Sequence, residues 1–139
     1  MSSEKKLRCL CIKASPLREN DRLITVLSEE QGISRFAVPG ARRPKSSLAG
    51  ASPITFLDLQ IFGKKNLKTV RQLRIIKSYN GLGKNIECLA AAQAITELTF
   101  LLVGNDDSQQ NFLPTVLAHL DRIYEYKILE EVDTKILAM

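Results

Sequence analysis

Apolar and polar positions alternate through the first half of the chain. In residues 7–14, LRCLCIKA, Leu7, Cys9 and Cys11 fall on one side and Arg8, Leu10 and Ile12 on the other, the period of a strand. Pro16 to Asp21 interrupt the pattern, and the β-branched run 22–28, RLITVLS, predicts a second strand. Glu29-Glu30-Gln31-Gly32 predicts a turn, with Gly32 available for positive φ. Residues 33–38, ISRFAV, predict a third strand, with Phe36 and Val38 on one face and Ile33, Arg35 and Ala37 on the other. Residues 54–62, ITFLDLQIF, alternate again, Leu57, Leu59 and Ile61 against Phe56, Asp58, Gln60 and Phe62. After a turn at 63–66, residues 67–77, LKTVRQLRIIK, predict a fifth strand whose imperfect alternation implies a bulge.

The period then changes. Asn80-Gly81-Leu82-Gly83 is a breaker. Residues 84–103 contain no Pro or Gly and are apolar on nearly every side, which predicts a helix packed between several neighbours. Leu113, Val116, Leu117, Leu120, Ile123 and Tyr124 recur at helical spacing over 112–128, with Asn111 as a candidate cap and Pro114 in the tolerant first turn. Another helical pattern starts at 130, and the last four residues, ILAM, carry no helix-closing signal. The expectation is a chain that stops inside a larger domain. Some of Ile86, Leu89, Leu98, Leu101 and Leu102 are then left bare, with self-association through the helical end as the consequence.

Five short strands followed by helices with no strand between them predict an α+β chain of two units. Five strands in about 75 residues, with a longer excursion between the third and fourth, fit an OB-type β-barrel. The expected division is a nucleic-acid-binding OB-fold over 1–80 and an incomplete helical domain over 81–139. No run approaches the roughly 18 apolar residues of a membrane span, and charges break the N-terminus before a signal-peptide core can form. No membrane association is expected, and the expected setting is cytoplasmic. The three cysteines, Cys9, Cys11 and Cys88, form neither a CxxC pair nor a metal-ligand set, and read as small core residues. His119, the single histidine, has no ligand cluster to join and reads as a helix-flank residue.

Charge sharpens the picture because it is unevenly placed. Residues 1–80 hold sixteen Lys and Arg against six Asp and Glu, whereas residues 81–139 hold four against nine. A basic half beside an acidic half suggests that the first unit faces a polyanion. The sharpest cluster is the tract between the third and fourth strands, GARRPKSSLAG (40–50), in which Arg42, Arg43 and Lys45 stand among small residues, with Pro44 holding part of it extended. Arg offers a planar donor fork and Lys a point charge to phosphate. Lys64, Lys65 and Lys68 around the next turn, and Arg71 and Arg74 on the fifth strand, extend the basic set, and Arg35 joins it from the third. Aromatics for base stacking are few. Phe36 reads as core, and Phe56 and Phe62 could either stack bases or pack on the helices, so phosphate contacts should dominate. No Walker loop, GxSxG, HExxH or metal-ligand cluster supports catalysis, metal or cofactor binding.

Three tracts together carry a resemblance: SPLRENDRLITVLSEEQG (15–32), GARRPKSSLAG (40–50) and FLDLQIFG (56–63). The chain resembles the N-terminal part of the RecO family of bacterial DNA repair and recombination mediators. The match is good over about residues 7–80 and is one of pattern alone over the helices. The resemblance implies an N-terminal OB-fold and a mostly helical C-terminal domain, in a bacterial, nucleoid-associated protein. It implies binding of single- and double-stranded DNA, annealing of complementary strands in RecF-type repair, and no enzymatic activity. It implies partnership with RecR and with the acidic tail of single-stranded DNA-binding protein. The tail is expected to bind weakly here, where the helical part is acidic. Many members carry a four-cysteine zinc element further along, and no such set occurs in this sequence. The DNA-binding role falls on Arg42, Arg43 and Lys45, and by extension on Arg35, Lys64, Lys65, Lys68, Arg71 and Arg74. The residues alone leave two other readings open, an RNA-binding OB module and an adaptor for an acidic protein tail.

Overall fold

The computed structural model describes residues 3–63, 67–79, 86–104 and 112–137. Five strands run in chain order: β1 (Ser3–Leu17), β2 (Asp21–Ser28), β3 (Gly32–Val38), β4 (Thr55–Gly63) and β5 (Lys68–Ser78). Two helices follow, α1 (Ile86–Gly104) and α2 (Leu113–Leu137). The strands close into a barrel in the order β1-β2-β3-β5-β4, the ring expected of an OB-type fold. All pairings are antiparallel except the short parallel one of β3 with β5, at Phe36↔Lys68 and Ala37↔Thr69.

β1 closes the ring because it is long and bent. Its first half pairs with β4, from Ser3↔Gly63 to Cys11↔Thr55, and its second half with β2, to Leu17↔Asp21. A bulge between Cys11 and Lys13 re-aims the side chains between these two halves. Leu7, Cys9 and Cys11 point into the barrel; beyond the bulge Ala14 takes up the inward direction. Ile12 meanwhile packs outside, and the Lys13 ammonium lies 4.1 Å from the centre of the Phe100 ring on α1. The barrel core is completed by Ile24, Val26, Phe36, Val38, Leu57, Leu59, Ile61 and Val70, which include the two groups that alternation placed on one face, Phe36 with Val38 and Leu57 with Leu59 and Ile61.

A second core joins barrel to helices. Leu10, Ile12 and Leu27 from the outer face of β1 and β2 meet Cys88 and Ala92 of α1 and Leu113, Val116 and Leu120 of α2. Ile54 and Tyr79 frame it from the strand ends. Ile54 holds φ at +59°, rare for a β-branched residue. Its N–H donates to Cys11 O at 2.8 Å and its carbonyl accepts from Tyr79 N at 3.0 Å, which fixes that conformation. Phe56 packs against this core, so it serves the helices rather than a ligand.

Around Tyr79 a polar latch completes the junction. The Tyr79 hydroxyl and the Lys77 ammonium both donate to Asp121 Oδ1 on α2, the latter at 2.7 Å, and Tyr79 meets Tyr124 edge to face at 6.3 Å. Burial works against ionised Asp121. The hydrogen bonds from Lys77 and Tyr79, with the Lys77 charge, outweigh it and hold the carboxyl below its ordinary range. Burial, with Asp121 alongside, pushes the Tyr79 hydroxyl well above its own.

One expectation about the helices changes. The helical pattern at 130 is the continuation of α2, which runs unbroken to Leu137 because no Gly or Pro intervenes after Pro114. The cap assigned to Asn111 lies outside the described residues. As the all-round apolar pattern of α1 implied, Ile86, Leu98, Leu101 and Leu102 are exposed, while Leu89 is partly covered. Among the described residues no helix is long and apolar enough to cross a membrane. Burial raises the thiols of Cys9, with help from Cys11 and Asp58, and of Cys11, the latter to about 12, so both stay protonated packing groups.

Two outcomes follow from these contacts. Leu120→Ala, at the centre of the junction, should cost about 2–5 kcal/mol in denaturant unfolding, while Leu98→Ala on the bare side of α1 should change stability by less than about 0.5 kcal/mol. Asp121 has a folded pKa below its unfolded value, so its contribution is present above the ordinary carboxylate range and lost as pH falls through the folded value. The stability gap between the parent and Asp121→Asn should therefore be full at neutral pH and close in acid below about pH 4; melting curves across pH would measure it.

Candidate nucleic-acid interface

The β3–β4 connection, residues 39–54, is built from successive turns. Arg43 N–H donates to Gly40 O, Ser46 N–H to Arg43 O, Ala49 N–H to Ser46 O and Ala51 N–H to Leu48 O, at 3.0–3.3 Å. The turn 43–46 has Pro44 at its second position and Lys45 at its third with φ +60°, the type II pattern, which usually takes Gly or Asn at that place. A lysine held in the left-handed region carries a conformational cost, and such costs gather at binding loops. Pro44 thus directs a tight turn rather than the extended stretch that the sequence predicted.

Most of the small residues of the tract serve the protein itself. Ala41 and Ala51 are buried in the barrel core, and Leu48 packs against it, so the loop plugs one end of the barrel. A Cβ on Gly50 would stand 2.8 Å from Ile75 Cδ1 and 3.3 Å from Leu73 Cδ1, so β5 side chains pack closely on this glycine. The expectation that these positions make room for a ligand holds only for the outward part of the loop, where Ser47 and Ala49 are exposed.

The loop is tied to the β1–β2 turn. Arg42 N–H donates to Asn20 O at 2.9 Å, its guanidinium reaches Arg18 O at 3.4 Å, and Gly40 N–H donates to Asp21 Oδ1 at 2.8 Å. Arg22 on β2 sends Nη1 to both Ala49 O and Ala51 O at 3.2 Å. Arg18, in the turn, also has positive φ and pairs with Asp21 at 3.5 Å. Lys68 opens β5 beside Phe36, two residues before the end of β3, and so joins this end of the barrel. Arg42, Arg43 and Lys45 are exposed, and among the described residues no carboxylate lies within 4.0 Å of their charged groups.

The other candidates separate from this cluster. Arg35 projects from the outer face of β3 into a groove of about 790 Å3 between β1–β3 and α1, lined also by Lys13, Thr25, Gln93 and Glu97. Arg71 pairs with Glu4 and stands 5.3 Å from the centre of the Phe62 ring, and Arg74 pairs with Asp58 at 2.8 Å. Both therefore arrive already neutralised by the neighbouring strands. Lys64 and Lys65 lie outside the described residues. Sequence reasoning missed Arg18 and Arg22. Their only signal is position, next to a turn that barrel closure brings against the loop.

The comparisons with known proteins agree with this architecture. Residues 1–79 match the family described as Recombination protein O N terminal. The chain belongs to the RecO family. It is 53% identical over 123 residues to the DNA repair protein RecO of Synechococcus sp. strain WH7803, covering 88% of this chain and 46% of that protein. The Prochlorococcus marinus strain MIT 9303 relative of the same name is 50% identical over the same shares, and the Synechocystis sp. relative 34% over 88% and 46%. The chain spans about half the length of the curated relatives it matches.

Arg22 tests how the basic loop is held. Two bonds from one guanidinium, one exposed and one part-buried, tie down Ala49 and Ala51, and a hydrogen bond of this kind contributes on the order of 1 kcal/mol. Arg22→Ala should speed amide exchange across 41–51 by about tenfold or more while β4 and β5 amides stay protected, as read by hydrogen exchange.

Proposed function

We propose that this chain is the DNA-binding part of a non-catalytic recombination mediator. The β3–β4 loop takes the phosphates of single- and double-stranded DNA, and the bound strands are left free to anneal. The observation that carries the reading is the exposure of Arg42, Arg43 and Lys45 on a turn-built loop, without carboxylate partners among the described residues. Fixed unpaired cations invite polyanions. Lys68 and Arg18 extend the same end.

Annealing asks for no bond chemistry. Two like-charged strands must be brought together with their base edges free. A surface that neutralises phosphate and stacks few bases suits that task. The aromatic inventory supports it: Phe36 is in the barrel core, Phe56 is packed toward the helices and Phe62 lies beside Arg71. The names of the relatives, DNA repair protein RecO, favour DNA as the polyanion. The division at residue 80 into a DNA-binding barrel and a helical unit belongs to the same proposal. So do action at bacterial DNA in the cytoplasm and partnership with RecR and the acidic tail of single-stranded DNA-binding protein, which rest on family membership alone.

The double substitution Arg42→Ala, Arg43→Ala should weaken binding of single-stranded oligonucleotides of any sequence. The slope of log affinity against log salt should flatten by about one unit for each phosphate no longer bound. The fold should persist, because neither side chain enters the core. Unchanged affinity and slope would overturn the loop assignment. Equal or tighter binding of RNA of the same sequence would favour the RNA-binding reading, and displacement of DNA by an acidic peptide at equal charge would favour the adaptor.

A further inference from the structure

Beyond the row of Leu10 and Phe56, which packs toward the helices, the outer face of β1, β4 and β5 is a charged surface that the loop does not use. Register places Arg8, Asp58 and Arg74 in one row across the three strands, since Arg8 pairs with Asp58 and Asp58 with Arg74. The next row is Lys6, Gln60 and Gln72. Glu4 lies one row further on, accepting from Gln60 Nε2 at 3.1 Å and from the Arg71 guanidinium. A bulge in β5 sets this pattern. Val70 and Leu73 both turn to the barrel core, so Arg71 and Gln72 between them both face out.

Four cations therefore share the face with two carboxylates. Lys6 and Arg8 are exposed and have no carboxylate within 4.0 Å among the described residues. Arg71 and Arg74 are exposed too, but each is held by an acid across the strand: Glu4 for Arg71 and Asp58 for Arg74. A shallow depression of about 180 Å3 lies between them, lined by Lys6, Asp58, Gln60, Gln72 and Arg74. Its floor offers amide and guanidinium donors side by side.

We infer that this face is a second, masked binding surface for the backbone of a single nucleic-acid strand, in which Glu4 and Asp58 hold Arg71 and Arg74 in position until phosphate replaces them. The inference rests on the nucleic-acid reading of the loop and adds to it. Solvent-exposed ion pairs are weak, so exchanging a carboxylate for a phosphate is readily reversible. Arg presents the same planar fork to either acceptor. The net positive charge and the neutral amide donors complement a phosphate backbone. Two such surfaces on one barrel, one open at the loop and one masked on the strands, would let a single molecule hold two strands with unequal affinity.

The test compares three double variants in fluorescence anisotropy with a labelled single-stranded oligonucleotide. Glu4→Gln with Asp58→Asn unmasks the face and should tighten binding by about threefold to tenfold, with a steeper salt slope of about one unit or more. Glu87→Gln with Glu125→Gln removes two acids from the helices and should change affinity by less than about twofold, since exposed charges further apart than about one Debye length are screened. Arg71→Ala with Arg74→Ala should weaken binding, and adding it to the unmasked variant should abolish the gain. The gain should persist when Arg42 and Arg43 are both alanine, because the two surfaces are separate. Equal gains from the strand and helix acid pairs, or no gain from unmasking, would overturn the inference. If unmasking fails while Arg42→Ala with Arg43→Ala still weakens binding, the loop reading stands alone. If neither pair changes binding, both readings fall.

Discussion

One strand serving two cores at once is the constraint on which this structure depends. β1 fills the barrel with Leu7, Cys9 and Cys11 and supplies Leu10 and Ile12 to the helices. An ordinary strand could do this only by strict alternation, and alternation would send Lys13 into the barrel and Ala14 out. The bulge between Cys11 and Lys13 resolves the conflict, placing Ile12 and Lys13 together on the helical side. Without it, the second half of β1 could not pair with β2 and still close the ring. The β1–β2 turn would then not reach the basic loop, which is held against Asn20 and Asp21.

The cations divide by how the fold treats them. Two on β5 are held by acids brought near by register, Arg74 by Asp58 and Arg71 by Glu4, whereas Lys6 and Arg8 on β1 have no carboxylate within 4.0 Å among the described residues. Those on the loop have no strand beside them, and among the described residues they have no acid either. The loop thus carries its positive charge without acid partners among the described residues, whereas Arg71 and Arg74 on β5 are compensated. That difference is more informative than the surplus of Lys and Arg in the first half of the chain. It says which cations are available without rearrangement.

Much of the fold was legible in the sequence. Alternation in LRCLCIKA and ITFLDLQIF grouped the residues that share the barrel core, and the broken rhythm of LKTVRQLRIIK pointed to irregularity in β5. Alternation is a local signal and needs no partner strand to be seen. The site was less legible. Arg71 and Glu4 are far apart in the chain, and Gln60 joins them only through strand register, so no window of sequence contains the ion pair. The small residues of GARRPKSSLAG suggested open space, whereas Ala41, Gly50 and Ala51 are small because the barrel packs on them. A small residue looks the same in sequence whether the room around it is empty or taken. The helical pattern at 130 misled for another reason: periodicity marks a helix but cannot by itself mark a break.

The parallel seam between β3 and β5 has a consequence for how the protein folds. Only Phe36↔Lys68 and Ala37↔Thr69 span it, while the other pairings are much longer. The hairpins β1–β2, β2–β3 and β4–β5 join neighbours in sequence and form early. The seam and the β1–β4 pairing join distant segments and must await closure of the long connection between them. The 39–54 segment that displays the cations is that connection. Its turns and its bond to Arg22 shorten the search by folding the tether back on the barrel. The segment that carries the candidate site also lies on the path of ring closure, so substitutions there should act on folding rate.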